Sequence, residues 1–167
     1  MTLSMYQASV PVLSRALTNL AHVLQQGAAH AKAKGVSDEV LLQTRLTPDM
    51  FSLLRQVQTA TDMAKGGVAR LAGAEPMKIE DNETTLAQLD ARIERVVAYL
   101  NTFTPQQIDG SEDRAIVLHM RSGEHHFSGQ PYLLEYVLPN VFFHCTTACD
   151  ILRQIGTEIG KKDFLGA

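Results

Sequence analysis

The chain has 167 residues, 45% of them hydrophobic and 20% charged, which suits one globular domain over residues 1–167 with a buried core. A formal net charge of -3 and a pI near 6.0 leave no clustered Lys and Arg footprint, which excludes nucleic acid and anionic membrane as expected partners. The opening MTLSMYQASVP lacks a basic region followed by an apolar run, and no stretch approaches the ~20 apolar residues of a membrane span, so the expected location is cytoplasmic.

From about Leu3 to Lys34, Val12, Leu13, Ala16, Leu17, Leu20, Val23 and Leu24 recur at a helical period that only Pro11 interrupts. Either Ser9 caps a helix beginning near Val10, or the helix starts earlier and bends at the proline. His22 and His30 lie in AHVLQQGAAHAKAKG, which reads as a solvated helix end with Gly35 as its stop. Ser37 to Leu42 can form a single helical turn. LTPDM then predicts a restart, with Thr47 as N-cap, Pro48 at the first helical position and Asp49 favouring the N-terminal dipole. The second long helix should run from Pro48 to Leu71, with Met50, Leu53, Leu54, Val57, Ala60, Ala64 and Val68 facing inward and Gly73 ending it. Gln56 lies beside that stripe. An amide turned inward must find partners, since burying it unpaired costs about 1 to 3 kcal/mol.

After GAEPMKIEDNE, Leu86, Leu89, Ile93, Val96, Val97 and Leu100 mark a third amphipathic helix within Thr84–Phe103, ended by Pro105, with charges at Asp90, Arg92, Glu94 and Arg95 between them. AIVLHMRSGEHHF then alternates in polarity around a Ser122-Gly123 turn signal, the pattern of a hairpin. Pairing Arg121 with Glu124 would set His119 opposite His126 and Leu118 opposite Phe127. Two imidazoles with no third ligand read as a solvated face before they read as a metal site. The hairpin is expected to flap over one end of the helices.

The last helix, Gln130 to Gly156, places Leu133, Val137, Asn140, His144, Thr147 and Ile151 on one face, with a kink or late start expected at Pro139. Cys145 and Cys149 sit four apart on it, where parallel Cβ vectors disfavour a disulfide, and small apolar packing is their expected role. The closing KKDFLGA should fold back to cover Phe164 and Leu165. The fold class is therefore all-α: an up-down four-helix bundle with a small β-hairpin between the third and fourth helices.

SMYQASVPV, LTPDMFSLLRQVQ, the SEDR before the hairpin, LPNVFFHCTTACDILR and the terminal GKKDFLGA occur in an order that resembles an uncharacterised bacterial family, a domain of unknown function within the DinB/YfiT-like superfamily of bundles. The resemblance spans essentially the whole chain. It implies a divalent metal held by three histidines, one in the second helix and two at H-x-x-x-H spacing in the fourth, with thiol-dependent transferase or isomerase activity in some members. Imidazoles at i and i+4 share a helical face, which an opposing helix completes. By that resemblance His144 takes the second position of the fourth helix, Asn140 the first, and Gln56 the position in the second helix.

This chain departs from the metal pattern at Asn140 and Gln56, because amide oxygens are weak ligands for zinc or nickel. Whether it is an enzyme stays open. One reading is a bundle with a degenerate metal site that binds a small molecule at a polar pocket around Gln56, Asn140 and His144, with a homodimer as the commonest assembly. The other is an atypical metal- or thiol-dependent transferase or hydrolase in which His144 is the surviving metal ligand or a general base, completed by Tyr6, Tyr132, Asp62 or Glu135. No cofactor is expected beyond the divalent metal ion that the superfamily pattern admits.

Overall fold

Helix α1 (Met5–Ala33) begins one residue after Ser4, whose hydroxyl accepts from the Gln7 backbone N–H while the Gln7 side chain accepts from the Ser4 N–H. This reciprocal cap starts the helix upstream of Pro11, so the proline lies within the helix and Ser9 is not its cap. Ser9 is buried and donates to the Met5 carbonyl at 2.7 Å. The computed structural model describes residues 3–166; Met1, Thr2 and Ala167, the ends of the expected domain, lie outside the described residues.

Ser37 caps the short α2 (Asp38–Gln43), as its sequence suggests. The next helix does not start at Pro48. The Thr47 hydroxyl donates to Asp49 at 2.6 Å, the Met50 N–H closes a turn onto the Thr47 carbonyl, and Arg45 pairs with Ser52 in an isolated antiparallel bridge. The Leu53 N–H donates back to Thr44 at 2.9 Å, closing 44–53 into a small loop. Thr47 therefore spends its hydroxyl within the loop, and α3 (Leu53–Leu71) has Ser52 at its N-cap position. Gly73, at φ +70, ends it as expected.

A Thr85–Gln88 capping box opens α4 (Leu86–Leu100), and Asp38 accepts from the Leu86 N–H at 2.9 Å, tying α2 to this start. A short α5 (Pro105–Ile108) precedes the hairpin. Strands β1 (Ala115–Met120) and β2 (Gly123–Ser128) pair antiparallel. Met120 faces Gly123, so His119 opposes Glu124, Val117 opposes His126 and Ile116 opposes Phe127. The register expected from a Ser122-Gly123 turn is thus shifted. Arg121 and Ser122 form the turn at negative φ, and the positive φ of +121 falls on Gly123 after them. A primed two-residue turn ending in glycine would need positive φ at Ser122 as well. His119 and His126 both reach Glu124, at 3.2 and 3.5 Å, on the exposed outer face.

The last helical run has three parts. A single turn, α6 (Gly129–Pro131), leads into a π-helical turn over Tyr132–Val137, and α7 (Leu138–Gln154) continues from it. The irregularity expected at Pro139 is this widened turn just upstream of the proline. The chain ends in α8 (Lys161–Leu165), which packs on α1 through Asn19 and Arg15 donating to the Phe164 and Leu165 carbonyls. Phe164 is half-buried and Leu165 stays exposed, so the tail covers one of the two side chains expected to be hidden.

The four long helices pack in a ring: α1 and α3 each pack against both α4 and α7. Their inner faces, including Leu13, Leu17, Leu53, Val57, Leu89, Ile93, Val141 and Ile151, form one continuous buried core.

A buried arginine fixes the long connection between α3 and α4. Arg92, only 3% exposed, donates from Nε to Thr61, from Nη2 to Asp62 and from Nη1 to Glu83 at 2.8–2.9 Å, and to the Glu80 carbonyl at 3.2 Å. Asp81 lies 3.0 Å from the same guanidinium, and Gln58 donates to the second oxygen of Glu83 at 2.8 Å. Burial alone would raise the Glu83 carboxyl, but the hydrogen bonds from Gln58 and Arg92 outweigh it and hold Glu83 below its ordinary 4.5. Removing the cation strands a buried carboxylate, so Arg92→Met should cost about 3 to 5 kcal/mol in urea unfolding at pH 7. The Glu83 contribution is complete above pH 4.5 and lost as pH falls through its lower folded value. The gap between variant and wild type should therefore narrow in acid, and a gap that stays constant would show the pairing to be unimportant.

Candidate functional site

Gln56 lies one turn into α3, and His144 lies in the middle of α7. They meet across the α3–α7 contact, with His144 Nδ1 2.6 Å from Gln56 Oε1. Gln56 Nε2 donates to the Phe51 carbonyl at 3.2 Å, so the amide oxygen must be the atom facing the imidazole. Nδ1 then carries the proton, and Nε2 keeps its lone pair. Burial lowers the His144 pKa below its ordinary 6.5, so the neutral ring is the resting form at pH 7.

Two aromatic rings frame this imidazole. Phe51 lies near-parallel to it, with centroids 6.2 Å apart and planes at 12°, and Phe143 meets it edge-on at 5.3 Å. His144 is 8% exposed, whereas Phe51 and Phe143 are 47% and 56% exposed. The Arg55 guanidinium sits 6.0 Å from the Phe51 ring centroid. The loop 44–53 that displaces the expected helix start is what carries Phe51 to this place.

Asn140 does not join the pair. Its Nδ2 donates to the Tyr136 carbonyl at 2.6 Å, one turn back on its own run, and no described hydrogen bond links it to His144. The other sequence candidates are engaged elsewhere. Asp62 pairs with Arg92 and Lys65, and the Tyr132 hydroxyl accepts from Arg70 at 3.2 Å. Tyr6 is held through its backbone to Asp109, and Glu135 is exposed on the π turn. Both cysteines are buried and free, and burial pushes the Cys145 thiol up to about 12, far from the reactive thiolate range. Phe51 and Phe143 were missed in the sequence because a lone phenylalanine in a turn, or on the outer face of a helix, carries no periodic signal.

Residues 5–165 match the model of the family described as a domain of unknown function (DUF1993). The chain belongs to that family. A crystal structure of a DinB family member from Shewanella denitrificans is 41% identical, with a TM-score of 0.88, covering 97% of this chain and 92% of the other. The DUF1993 chain is thus a DinB-like protein, mostly helical with a small antiparallel hairpin. No curated protein matches it.

The three-histidine metal pattern does not fit this DUF1993 chain. It offers one imidazole beside two amides, each of which donates to a backbone carbonyl, and amide oxygens are weak ligands for zinc or nickel. Among the described residues, no group of three or more His, Cys, Asp or Glu side chains could hold a metal ion. What the arrangement can do is present a neutral, oriented imidazole with Nε2 as acceptor beside two exposed aromatic rings, one near-parallel and one edge-on.

Gln56→Leu removes the acceptor and leaves a buried N–H unpaired, which should cost about 1 to 3 kcal/mol in urea unfolding. The tautomer gives a second readout: side-chain ¹⁵N spectra should show Nδ1 protonated in the wild type and a redistributed proton in the variant. The pH dependence has a fixed sign. Below pH 6.5 the unfolded chain takes up a proton that folded His144 refuses, so stability is complete above 6.5 and falls as pH drops toward the lower folded value. Urea midpoints at pH 7.5 and 5.5 should drop for the wild type and drop less for His144→Gln.

Proposed function

We propose that this DinB-like chain is a small-molecule-binding protein that works without a metal, in which the superfamily's metal position has become the His144–Gln56 hydrogen-bonded pair. The single observation that carries the reading is the 2.6 Å contact between Gln56 Oε1 and His144 Nδ1. Anchoring Nδ1 leaves Nε2 as the one uncommitted ring nitrogen, and the two positions that would have to add ligands beside it carry the amides of Gln56 and Asn140, which are weak donors to a transition metal. The ligand class follows from what is left free. Nε2 accepts a hydrogen bond, so the ligand carries an O–H, N–H or S–H donor, and the Phe51 and Phe143 faces suit a flat or apolar body attached to it.

Such an imidazole can also take a proton from the bound donor, because a neutral ring with an anchored Nδ1–H is arranged as a general base. The sealed Cys145 argues against a thiol of this chain as the reacting group.

The test uses phenol, indole and toluene as probes of matched shape. Phenol and indole should shift the His144 Nε2 resonance in ¹⁵N spectra and bind more tightly than toluene, and His144→Phe should abolish that difference in affinity. Metal analysis of the purified wild-type protein supplies the opposing result. A divalent ion present at near one per chain, and lost in His144→Ala, would sink the metal-free reading, as would a failure of both donors to perturb His144.

A further inference from the structure

The hairpin does not lie flat on the helices. Between β1, the C-terminal half of α3 and the π turn is a cleft of about 650 Å³, within the range of small-ligand sites. Its apolar wall is made by Met63, Ile116, Leu118 and Met120 with the rings of Tyr132 and Tyr136. Those two rings stack at 5.9 Å with planes at 18°, and Phe127 of β2 packs on both at 5.6 and 5.3 Å. Tyr132 and Tyr136 lie four apart on the π turn, a spacing that puts both rings on one side of it.

Two guanidinium groups, Arg70 from α3 and Arg114 from the approach to β1, line the same cleft. Among the described residues neither forms an ion pair with a carboxylate. Each packs beside a glycine: a Cβ on Gly66 would collide with the Arg70 guanidinium, and one on Gly73 with that of Arg114. Gly73 serves both as the stop of α3 and as the seat of Arg114. Arg70 Nη1 donates to the Tyr132 hydroxyl at 3.2 Å. Burial raises the Tyr132 pKa against the opposing pull of Arg70, so the phenol keeps its proton. No acceptor for that proton exists among the described residues, although Tyr132 is 1% exposed. A buried hydroxyl with a proton to give, beside two unpaired guanidiniums, is a set of donors without an acceptor. Glu75 is the acidic side chain of the lining, exposed at the mouth, and it lies beyond ion-pair reach of either arginine.

We infer that this cleft binds a small oxyanion, a carboxylate or phosphate monoester, attached to a flat apolar group, with Arg70, Arg114 and the Tyr132 hydroxyl holding the anion and the Tyr132–Tyr136 wall holding the body. The site lies at the other end of the α3–α7 contact from His144 and stands independently of the reading given above. Arginine matches the planar geometry of both anions, so the structure names the shared chemistry and the experiment separates the two.

The probes are benzoate, phenyl phosphate and benzyl alcohol, titrated into the full chain and followed by backbone amide NMR with calorimetry. At least one anion should bind about tenfold or more tightly than the alcohol, since a charge-assisted hydrogen bond is worth about that factor. The shifted amides should be those of Met63, Gly73 and Leu118, and the tighter of the two anions assigns carboxylate or phosphate. Arg114→Gln, at an exposed position, should leave the ligand-free unfolding midpoint unchanged and remove the preference for the anion. Arg70→Gln should do the same to binding while also freeing the Tyr132 hydroxyl. Equal affinity for the alcohol, no binding by either anion, shifts centred on His144, or full anion binding by Arg114→Gln would each overturn the inference. Failure of the phenol test at His144 would leave these outcomes unaffected.

Discussion

Along the line where α3 meets the last helical run there is little room for side chains on the α3 side. A Cβ placed on Gly67 would lie 2.6 Å from a methyl of Val137, which is itself fully buried. Gln56, about three turns earlier on α3, touches His144 on the opposite run. Positions separated by whole turns share a face, so Ala60 and Ala64, both fully buried, occupy the seam between these two contacts. A stripe of small residues lets two backbones approach closely, and a larger residue would force the helices apart. The ring of four helices depends on that closeness, because α1, packed on the pair chiefly through α7, and α4, packed on α3, also pack on each other and close around the pair.

Closeness of this kind raises the cost of every polar group in the seam. The interior gives Gln56 and His144 few alternatives, and they satisfy each other, with the Phe51 carbonyl taking the remaining amide donor. Asn140, on the same run one turn before His144, solves its problem locally through the Tyr136 carbonyl. The difference between them decides the chemistry. A residue that reaches across the seam fixes a tautomer on its partner, and a residue that folds back on its own helix contributes no group to the site.

The helices were legible in the sequence because their causes are local: apolar period, caps and the glycine stops Gly35, Gly73 and Gly156, at φ +69, +70 and +97. The Gln56–His144 meeting was legible through the family resemblance, which set both residues on one three-position pattern; the helical period placed His144 on an apolar face and Gln56 only beside one. The errors share a different origin. Thr47-Pro48-Asp49 has the composition of a helix start, yet Arg45, Ser52 and Thr44 make a closed loop that only three-dimensional pairing reveals. Ser122-Gly123 has the composition of a hairpin turn, yet the positive φ could fall inside the turn or just after it. Arg92 reads as a solvated charge on α4, because its partners Glu83 and Asp81 lie in a connection with no period at all. Arg70 and Arg114 line one cleft only because the hairpin folds back onto the end of α3.

The two ends of the seam carry the same kind of device. At one end a buried amide from α3 binds an imidazole from α7, and at the other Arg70 from α3 binds the Tyr132 hydroxyl of the π turn. Apolar packing between helices tolerates sliding, since one methyl can replace another. A directional hydrogen bond in a buried seam does not, because displacement leaves both partners unpaired. Sliding the last run along α3 by one turn, about 5.4 Å, would break both pairs at once and carry the bulk of Val137 away from the gap left by Gly67. Polar pairs at both ends and a size match between them therefore fix the register together. The same two pairs leave one polar group at each end without a described partner, His144 Nε2 at one and the Tyr132 proton at the other, so the contacts that align the helices also set which groups stay uncommitted.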